Sequence, residues 1–572
     1  MAKRDVLNLH TLLVGFFLAF LYTFLQIYIE LKVGFVVVTG MEILGFILLS
    51  LFGKYDPKDN VIVITITTAS VLVNIGVLVA FPAISMFSHL ARIPEVEITM
   101  PLIFTMIALT GFTGLFLLEP AKEAFMDEPW PQIEAQVQNI ISLSEGNVQT
   151  KRNMMIGLLG AGAYMGTIIG LSQMTKYDLR TIPHGVGVTE VPPYIGISNS
   201  PMLVGIGFFA GFRRTLLIFI GSLFSMLVWF LLERDPHILF GEHVTRPEIF
   251  YTAIGIVGTT IALDAWSAYK ESKTVSLEEE EREAVEVFFS KENLFLFLKQ
   301  WKCSLLSLIL FYVISVFLFS ISGFFFPITI PPLLLLIGLP LVLISAFFVA
   351  RAASETGMVV GFITDALAVP AILFFSINFP SVILFMTLMA AVQSAAVTLL
   401  GRYVLGRRLK VHDETIRKSA ITGTIFGTII GTWLIYIFSK PPFGFGTHEF
   451  PAPTAQLMGF TVLSLMKLTT FSLPFADEFG IPYLIGFLSL GIAASIALHK
   501  RNISPITLAV GLLIPPAYSI PLLLGGLISK YVQNRTEEII NKYKQILGGV
   551  VAGEGLIIAL HVLWIASIDF IF

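Results

Sequence analysis

The few residues of this sequence that could do chemistry stand out because they interrupt apolar runs. Glu355 lies in "SETG", one helical turn after Arg351, and Asp365 follows ten residues on. On a helix, 355 and 365 fall within about 80° of each other. A carboxyl group walled by apolar side chains has its neutral form favoured and can exchange a proton near neutrality. Glu355 is therefore the first choice for a coupling acid, with Asp365 beside it. The competing reading is an Arg351–Glu355 ion pair at helical spacing. Glu554 and His561 are seven apart on one helical face, placed for a proton relay or for an interhelical hydrogen bond. Asp264 with Trp266 reads as an interfacial anchor, and Lys467 as a snorkelling end or a cavity residue. Among uncharged polar groups, Asn74, Tyr164, Gln173 and Gln393 could bond a substrate, or equally serve as glue between helices.

Other chemistries lack their residues. The sequence has no H-E-x-x-H, no nucleophile elbow and no P-loop. His89, His184, His237, His243 and His448 fall in connections, without metal-ligand spacing. The lone Cys303 excludes an internal disulfide and a thiolate metal cage. Neither a metal, a cofactor nor a nucleic acid is expected. An intramembrane enzyme or a channel stays a distant alternative, the channel because such pores are usually built by symmetric subunits.

The elements that must position these groups are membrane helices. Of 572 residues, 55% are hydrophobic and 13% charged, against about 25% charged in soluble domains; mean hydropathy is +0.84. Apolar runs near the ~20 residues that cross a bilayer recur at 8–29, 33–52, 61–80, 101–118, 153–173, 248–267, 303–322, 329–350, 380–401, 418–438, 480–498 and 546–567. Shorter or broken runs lie at 200–232, 357–376, 454–470 and 503–530. The fold expected is an all-α polytopic membrane protein with roughly 14–16 transmembrane or re-entrant helices. The basic tip Lys3-Arg4 is followed by an apolar stretch too long for a signal h-region, so it reads as the first span. Lys54, Lys58, Lys122, Lys151, Arg152, Arg402, Arg407, Arg408, Lys410, Arg417 and Lys418 cluster in connections. The positive-inside bias puts these, and the N-terminus, in the cytoplasm of a multi-pass plasma-membrane protein.

The chain divides into an N-terminal half, 1–267, an amphipathic cytoplasmic linker, 268–302, and a C-terminal half, 303–572. The acidic run of the linker reads as a solvated face, with Phe288, Phe289, Phe295 and Phe297 touching the membrane surface. The halves resemble each other. One constant shift lays Ser200-Pro201 on Ser504-Pro505, Gly207 on Gly511, Gly221 on Gly525, Leu223 on Leu527 and Ser225 on Ser529. A second landmark, "GTIIG", occurs at 166–170 and 427–431, each time extending a ladder of small residues: Gly162, Gly166 and Gly170, then Gly423, Gly427 and Gly431. The spacing predicts that the two landmarks belong to one duplication, with spans 454–470 and 480–498 as additions to the second copy.

In each copy Ser-Pro, an N-cap and N1 signature, opens a short apolar helix. Arg213-Arg214 interrupts the first, and Pro515, Pro516 and Pro521 the second. Both read as discontinuous helices, with breaks assigned to Pro201, Gly207, Arg213, Arg214, Pro505, Gly511, Pro515 and Pro516. Irregular backbone survives in a membrane only when packed in protein or lining a cavity. Paired broken segments in two halves point to a transporter's substrate site. Ser200 and Ser504 would then offer helix N-termini to a substrate carboxylate. Two ordinary kinked spans, with the arginines at a cytoplasmic turn, are the alternative.

"SPMLVGIGFFAGFRRTLLIFIGSLFSMLVWFLL" resembles the signature of the oligopeptide transporter (OPT) family, and "SPITLAVGLLIPPAYSIPLLLGGLISKYV" with "GGVVAGEGLIIAL" resembles its other end. Supporting stretches are "NVIVITITTASVLVNIGVLVAFPAI" and "ARAASETGMVVGFITDAL". The resemblance implies proton-coupled import of short oligopeptides, or else of metal chelates of siderophore or nicotianamine type. The Asn-Pro-Gly and Lys-Ile-Pro-Pro-Arg motifs of the eukaryotic peptide branch are absent, so the sequence is more similar to the branch of yellow-stripe carriers and many prokaryotic members. The partners expected are the lipid bilayer, a small peptide or metal-chelate substrate and protons, with a homodimer as one option for an oligomeric state that the sequence leaves open.

Overall fold

A computed structural model gives the architecture. It describes residues 8–571 apart from 33–39, 53–54, 88–96, 145–147, 183–189, 275–290, 321–327, 358–374, 441–443, 463–480 and isolated positions between them. The first half contains α1 (Leu9–Lys32), α2 (Met41–Leu51), α3 (Pro57–Leu72), α4 (Ile75–Phe87), α5 (Met100–Leu117), α6 (Pro131–Ser144), α7 (Val148–Thr175), α8 (Pro201–Ala210), α9 (Phe212–Val228), α10 (Phe240–Val244) and α11 (Pro247–Thr274). After α12 (Lys291–Phe319) come α13 (Pro332–Thr356), α14 (Phe379–Arg408), α15 (Asp413–Phe438), α16 (Ile481–His499), α17 (Ile506–Leu513), α18 (Ser519–Gln533) and α19 (Glu537–Ile571). A two-stranded antiparallel ribbon, β1 (Thr181–Ile182) with β2 (Ile197–Ser198), precedes α8.

The protein is an all-α polytopic membrane protein. Among the described residues, 11 helices are long and apolar enough to cross a membrane, or 12 if the bent pair α17–α18 counts as one span. Large apolar side chains such as Phe17, Leu159, Phe230, Ile309 and Phe317 stand exposed on the perimeter, where lipid tails replace water. Two expected spans differ. Among the described residues, the run 33–52 contributes α2, 11 residues that follow an N-cap at Gly40 with φ 82°, about 16 Å of helix at 1.5 Å per residue. The run 61–80 is instead part of a longer interrupted span, Pro57–Phe87. The predicted short segment 357–376 falls almost wholly, and 454–470 for the most part, outside the described residues, and Asp365 and Lys467 lie among those outside.

Glycines decide how the halves meet. A Cβ on Gly207 would overlap the carbonyl of Leu522, and one on Gly511 the carbonyl of Ile218; likewise Gly525 meets Val204 and Gly221 meets Leu508. These contacts are equivalent under the shift that relates the two Ser-Pro segments. Each half-helix therefore packs on the long helix of the other copy, α8 on α18 and α17 on α9. Gly207 and Gly511, expected as breaks, are mid-helix sites of this close approach. The first break is at Gly211, φ 85° and ψ 160°, with Arg213 and Arg214 inside the first turn of α9. The second is at Ile514–Pro515, where α17 and the helix beginning at Pro516 are bent by 119°.

The copies run in opposite directions. The start of α8 adjoins β2, and β2 contacts the Pro516–Tyr518 turn in which α17 ends, with Ala517 N–H donating to Tyr194 O at 3.0 Å. At the other end, the start of α9 and the start of α17 line one cavity. The repeat is therefore inverted, with its two-fold axis lying across the helices.

The second landmark fails. Gly423 and Gly427 of α15 lie on the backbone of Ile66 and Ser70 in α3, whereas a Cβ on Gly166 of α7 would have only Ile557 at 3.7 Å and one on Gly170 nothing within 4 Å. By contact, the counterpart of α15 is α5, whose Gly114 rests on Val392 of α14. The counterpart of α7 is α16: Gly157 meets Ile546 and Gly549 meets Met154, just as Gly491 meets Thr252 and Gly255 meets Leu488. Helix 480–498 is thus a repeat element rather than an addition, and the two copies of "GTIIG" are unrelated by the fold.

Candidate functional site

Pro201 starts α8 because a proline ring fits the first helical position, where no N–H is needed. Ser200 caps it, its Oγ accepting from Leu203 N–H at 3.3 Å. That helix end is already occupied by an acid of α19. Ser200 Oγ donates to Glu554 Oε1 at 2.8 Å, and Met202 N–H donates to Glu554 Oε2 at 2.6 Å. A carboxylate here satisfies orphan N–H groups and complements the helix dipole. Both oxygens of Glu554 are thereby engaged with α8, and His561 is not among the partners shown for it. Ser200, expected as a substrate ligand, has its hydroxyl engaged with both Leu203 N–H and Glu554.

The inverted copy is different. Pro505, not Ser504, is the N-cap of α17, with φ −71° and ψ −19°. Ser504 Oγ is buried without a hydrogen-bond partner among the described residues. The residue of α11 that corresponds to Glu554 is Thr260, which turns to Ile256 O at 2.7 Å and Ser495 Oγ at 3.1 Å. Among the described side chains of α11, no carboxylate stands at the position that Glu554 holds in the first copy.

Instead Ser504 and Pro505 open into a cavity of about 500 Å³, lined also by Glu128, Arg213, Arg214, Arg351, Glu355 and His499. Arg351 Nε donates to Glu355 Oε1 at 3.1 Å, so the helically spaced pair exists. Glu355 Oε2 is buried and unpartnered among the described residues, its side chain only 4% exposed. Glu128, in the connection before α6, has its carboxyl pushed above the usual range, by burial first and by the Glu355 charge second. Three guanidiniums and two carboxylates thus face one space beside an uncapped helix start.

The basic connections lie at this same end. Glu123 binds Arg407 at 2.6 and 2.8 Å, Lys122 pairs with Asp413, and Trp130 N–H donates to Ser354 O at 2.7 Å, tying α6 to the end of α13. His10, near the start of α1, is 3.5 Å from Asp59, so the N-terminal end of α1 is here too.

The other candidates scatter. Asn74 donates to Ser70 O at 2.7 Å and meets Gly431, packing α3 on α15. Gln393 is buried within α14. Tyr164 is exposed and reaches Asn199 at 3.4 Å, and Gln173 is exposed on α7. None of these four lines the cavity.

Two polar clusters had been passed over. Glu42 of α2 is buried and accepts from Asn139 Nδ2 at 2.9 Å, while Arg402 Nη1 donates to Gln136 Oε1 at 3.0 Å nearby. The signal was a lone acid near the start of an apolar run. His243, assigned to a connection, is fully buried between Ser225 and Glu233; nothing in its local sequence marks it.

An inverted pair of broken helices around a polar cavity is transporter architecture. The sequence profile described as "OPT oligopeptide transporter protein" matches residues 6–233 and 247–565. The chain belongs to the OPT family. The match takes in both Ser-Pro hairpins, Glu554 and every residue of the cavity lining. Membership makes the chain one of a family of transporters of oligopeptides or related substrates. No curated protein matches it.

Proposed function

We propose that this OPT-family protein is a secondary active transporter that brings short oligopeptides into the cell in symport with protons. The observation that carries the reading is the inversion of α8–α9 against α17–α18, since inverted repeats with half-helices supply the two alternating arrangements that transport needs. The charged end of the bundle faces the cytoplasm, following the positive-inside bias, and the cavity behind Ser504 is then the inner end of the pathway. Its mixed lining suits a molecule carrying both an ammonium and a carboxylate group. Arg213, Arg214 and the start of α17 would hold the carboxylate, and Glu128 and Glu355 the ammonium. Glu355, with one oxygen unsatisfied, is the coupling acid of this reading.

The test is uptake into proteoliposomes at a set pH gradient, with acid outside, offering tri- to pentapeptides alongside ferric and nickel chelates. Gradient-driven peptide accumulation, lost in Glu355→Gln, is the expected result. Accumulation of chelates alone would move the protein to the metal-complex reading, in keeping with the missing peptide-branch motifs. Peptide uptake that ignores the gradient would remove the proton from the mechanism.

A further inference from the structure

A second cavity, of about 530 Å³, lies between α5 and α12, away from the pathway above. Local sequence shapes it. Phe104, Ala108, Phe112 and Phe116 stand four apart and share one face of α5, where Ala108 leaves a notch in a stripe of rings. Residues of α12 from Cys303 to Ile314 form the facing wall, and the buried Leu109 and Phe311 the floor. Two of the lining hydroxyls are turned into their own helices: Thr113 donates to Leu109 O at 2.7 Å and Ser307 to Ser304 O at 2.8 Å. The surface left to an occupant is almost wholly hydrocarbon.

The groove opens sideways. Phe104, Leu306 and Leu310 are exposed, on the same perimeter as Ile309 and Phe317, where the surroundings are lipid tails. Water would find no hydrogen bonds in it, and an empty groove would cost its lining the dispersion contacts on one side. A lipid chain supplies those contacts. The length agrees: Phe104 to Phe116 spans about 18 Å at 1.5 Å per residue, against about 15 Å for half of a ~30 Å hydrocarbon core. One end of the groove lies at the membrane surface. Ser304 Oγ donates to Leu117 O at 3.0 Å, joining the end of α5 to the start of the apolar stretch Trp301–Phe319 of α12.

That surface carries an unused cation. Lys122, Arg407 and Arg417 each pair with a carboxylate at this end of the bundle. Lys302, beside Cys303 at the mouth of the groove, is exposed and has no partner among the described residues. The positions one turn away on its helix, 298, 299, 305 and 306, hold no acid. An apolar slot one leaflet deep with a free ammonium at its surface end matches a lipid with an anionic headgroup.

We propose that the α5–α12 groove binds one acyl chain of an anionic phospholipid, with the phosphate held at Lys302. The site stands on the groove and this lysine, and does not require the transport reading.

The test is native mass spectrometry of the purified full chain with phosphatidylglycerol and with phosphatidylcholine of the same acyl chains. The wild type should keep one lipid at a collision energy that strips the others, with phosphatidylglycerol preferred by about fivefold, the worth of one lysine near an anionic surface. Ala108→Phe completes the stripe of rings and should keep neither lipid; Ala108→Leu, a smaller filler, carries the same test should the phenylalanine prevent folding. Lys302→Gln should keep a lipid but lose the preference. Added phosphatidylglycerol should raise the melting temperature of the wild type and not that of a filling variant that melts no lower than wild type without lipid. Equal retention in the wild type and the filling variants, no retained lipid in the wild type, or an unchanged preference in Lys302→Gln would overturn the proposal. A dimer that Ala108→Phe splits would overturn it too, by assigning the groove to a second copy.

Discussion

The pentapeptide "GTIIG" occurs twice, and the fold gives its two copies opposite sensitivities. Gly166→Ala places a methyl 3.7 Å from Ile557 Cγ1, an ordinary contact. Gly427→Ala places one 2.5 Å from Ser70 Cα and 2.8 Å from Ser70 C, and closer still to the carbonyl oxygen. Alanine is worth about 0.5–1 kcal/mol over glycine inside a helix, and at Gly166 only that gain operates. At Gly427 it is opposed by overpacking, which costs about 1–3 kcal/mol. The upper part of that range applies, because the obstacle is backbone of α3 and cannot rotate away. The gain is common to both sites and cancels, so Gly427→Ala should be less stable than Gly166→Ala by roughly 2–3 kcal/mol. Apparent melting of the detergent-solubilised protein, read by loss of the monodisperse chromatographic peak, measures the difference. Two variants of equal stability, or a less stable Gly166→Ala, would refute the assignment of α3 as the partner of α15 and the placement of α7.

The inverted repeat makes a paired prediction: Gly207→Ala and Gly511→Ala should lower the melting temperature by similar amounts, since each meets the corresponding carbonyl; a large inequality would count against the symmetry. Glu554→Ala should cost about 1–3 kcal/mol through the orphaned Met202 N–H and Ser200 hydroxyl, and Glu554→Gln less, because its amide oxygen still accepts; equal losses by thermal unfolding would argue against the capping role. The raised carboxyl of Glu128 binds its proton more tightly in the folded state than in the unfolded one. Its contribution is thus fully present below the ordinary carboxylate pKa of about 4.3 and is lost as pH rises through the raised value. Glu128→Gln should gain stability relative to wild type between about pH 4 and neutrality, and a difference that shrinks with rising pH would contradict the assigned burial.

The two half-helices also show how a duplicated device becomes asymmetric. The start of α8 is closed by Glu554, while the start of α17 faces Thr260 at the corresponding position and opens on the cavity. A carboxylate is thus bonded to the start of one half-helix, while the start of the other opens on a lining that holds Arg213, Arg214 and Arg351 together with Glu128 and Glu355. In the transport reading that opening is where the cargo's charged end is held.

Composition and run length alone determined that the chain is a bundle of membrane helices, because a bilayer admits only segments that satisfy their own backbone. The Ser-Pro repeat likewise identified both broken helices, since capping and proline geometry act within a few residues. The Arg351–Glu355 pair was legible for the same reason, being set by one turn of helix. What lies between distant segments was not. A short motif such as "GTIIG" reports that a helix can be approached closely, not by which neighbour, so its two copies were matched wrongly. Glu554 was noticed, but its partner Ser200 lies 354 residues away, and His243 acquires Glu233 and Ser225 only through the fold of α9 back onto α10. The direction of the repeat, the capped and the open half-helix, and both polar clusters were decided by tertiary packing, because they depend on which faces meet and no local spacing encodes that.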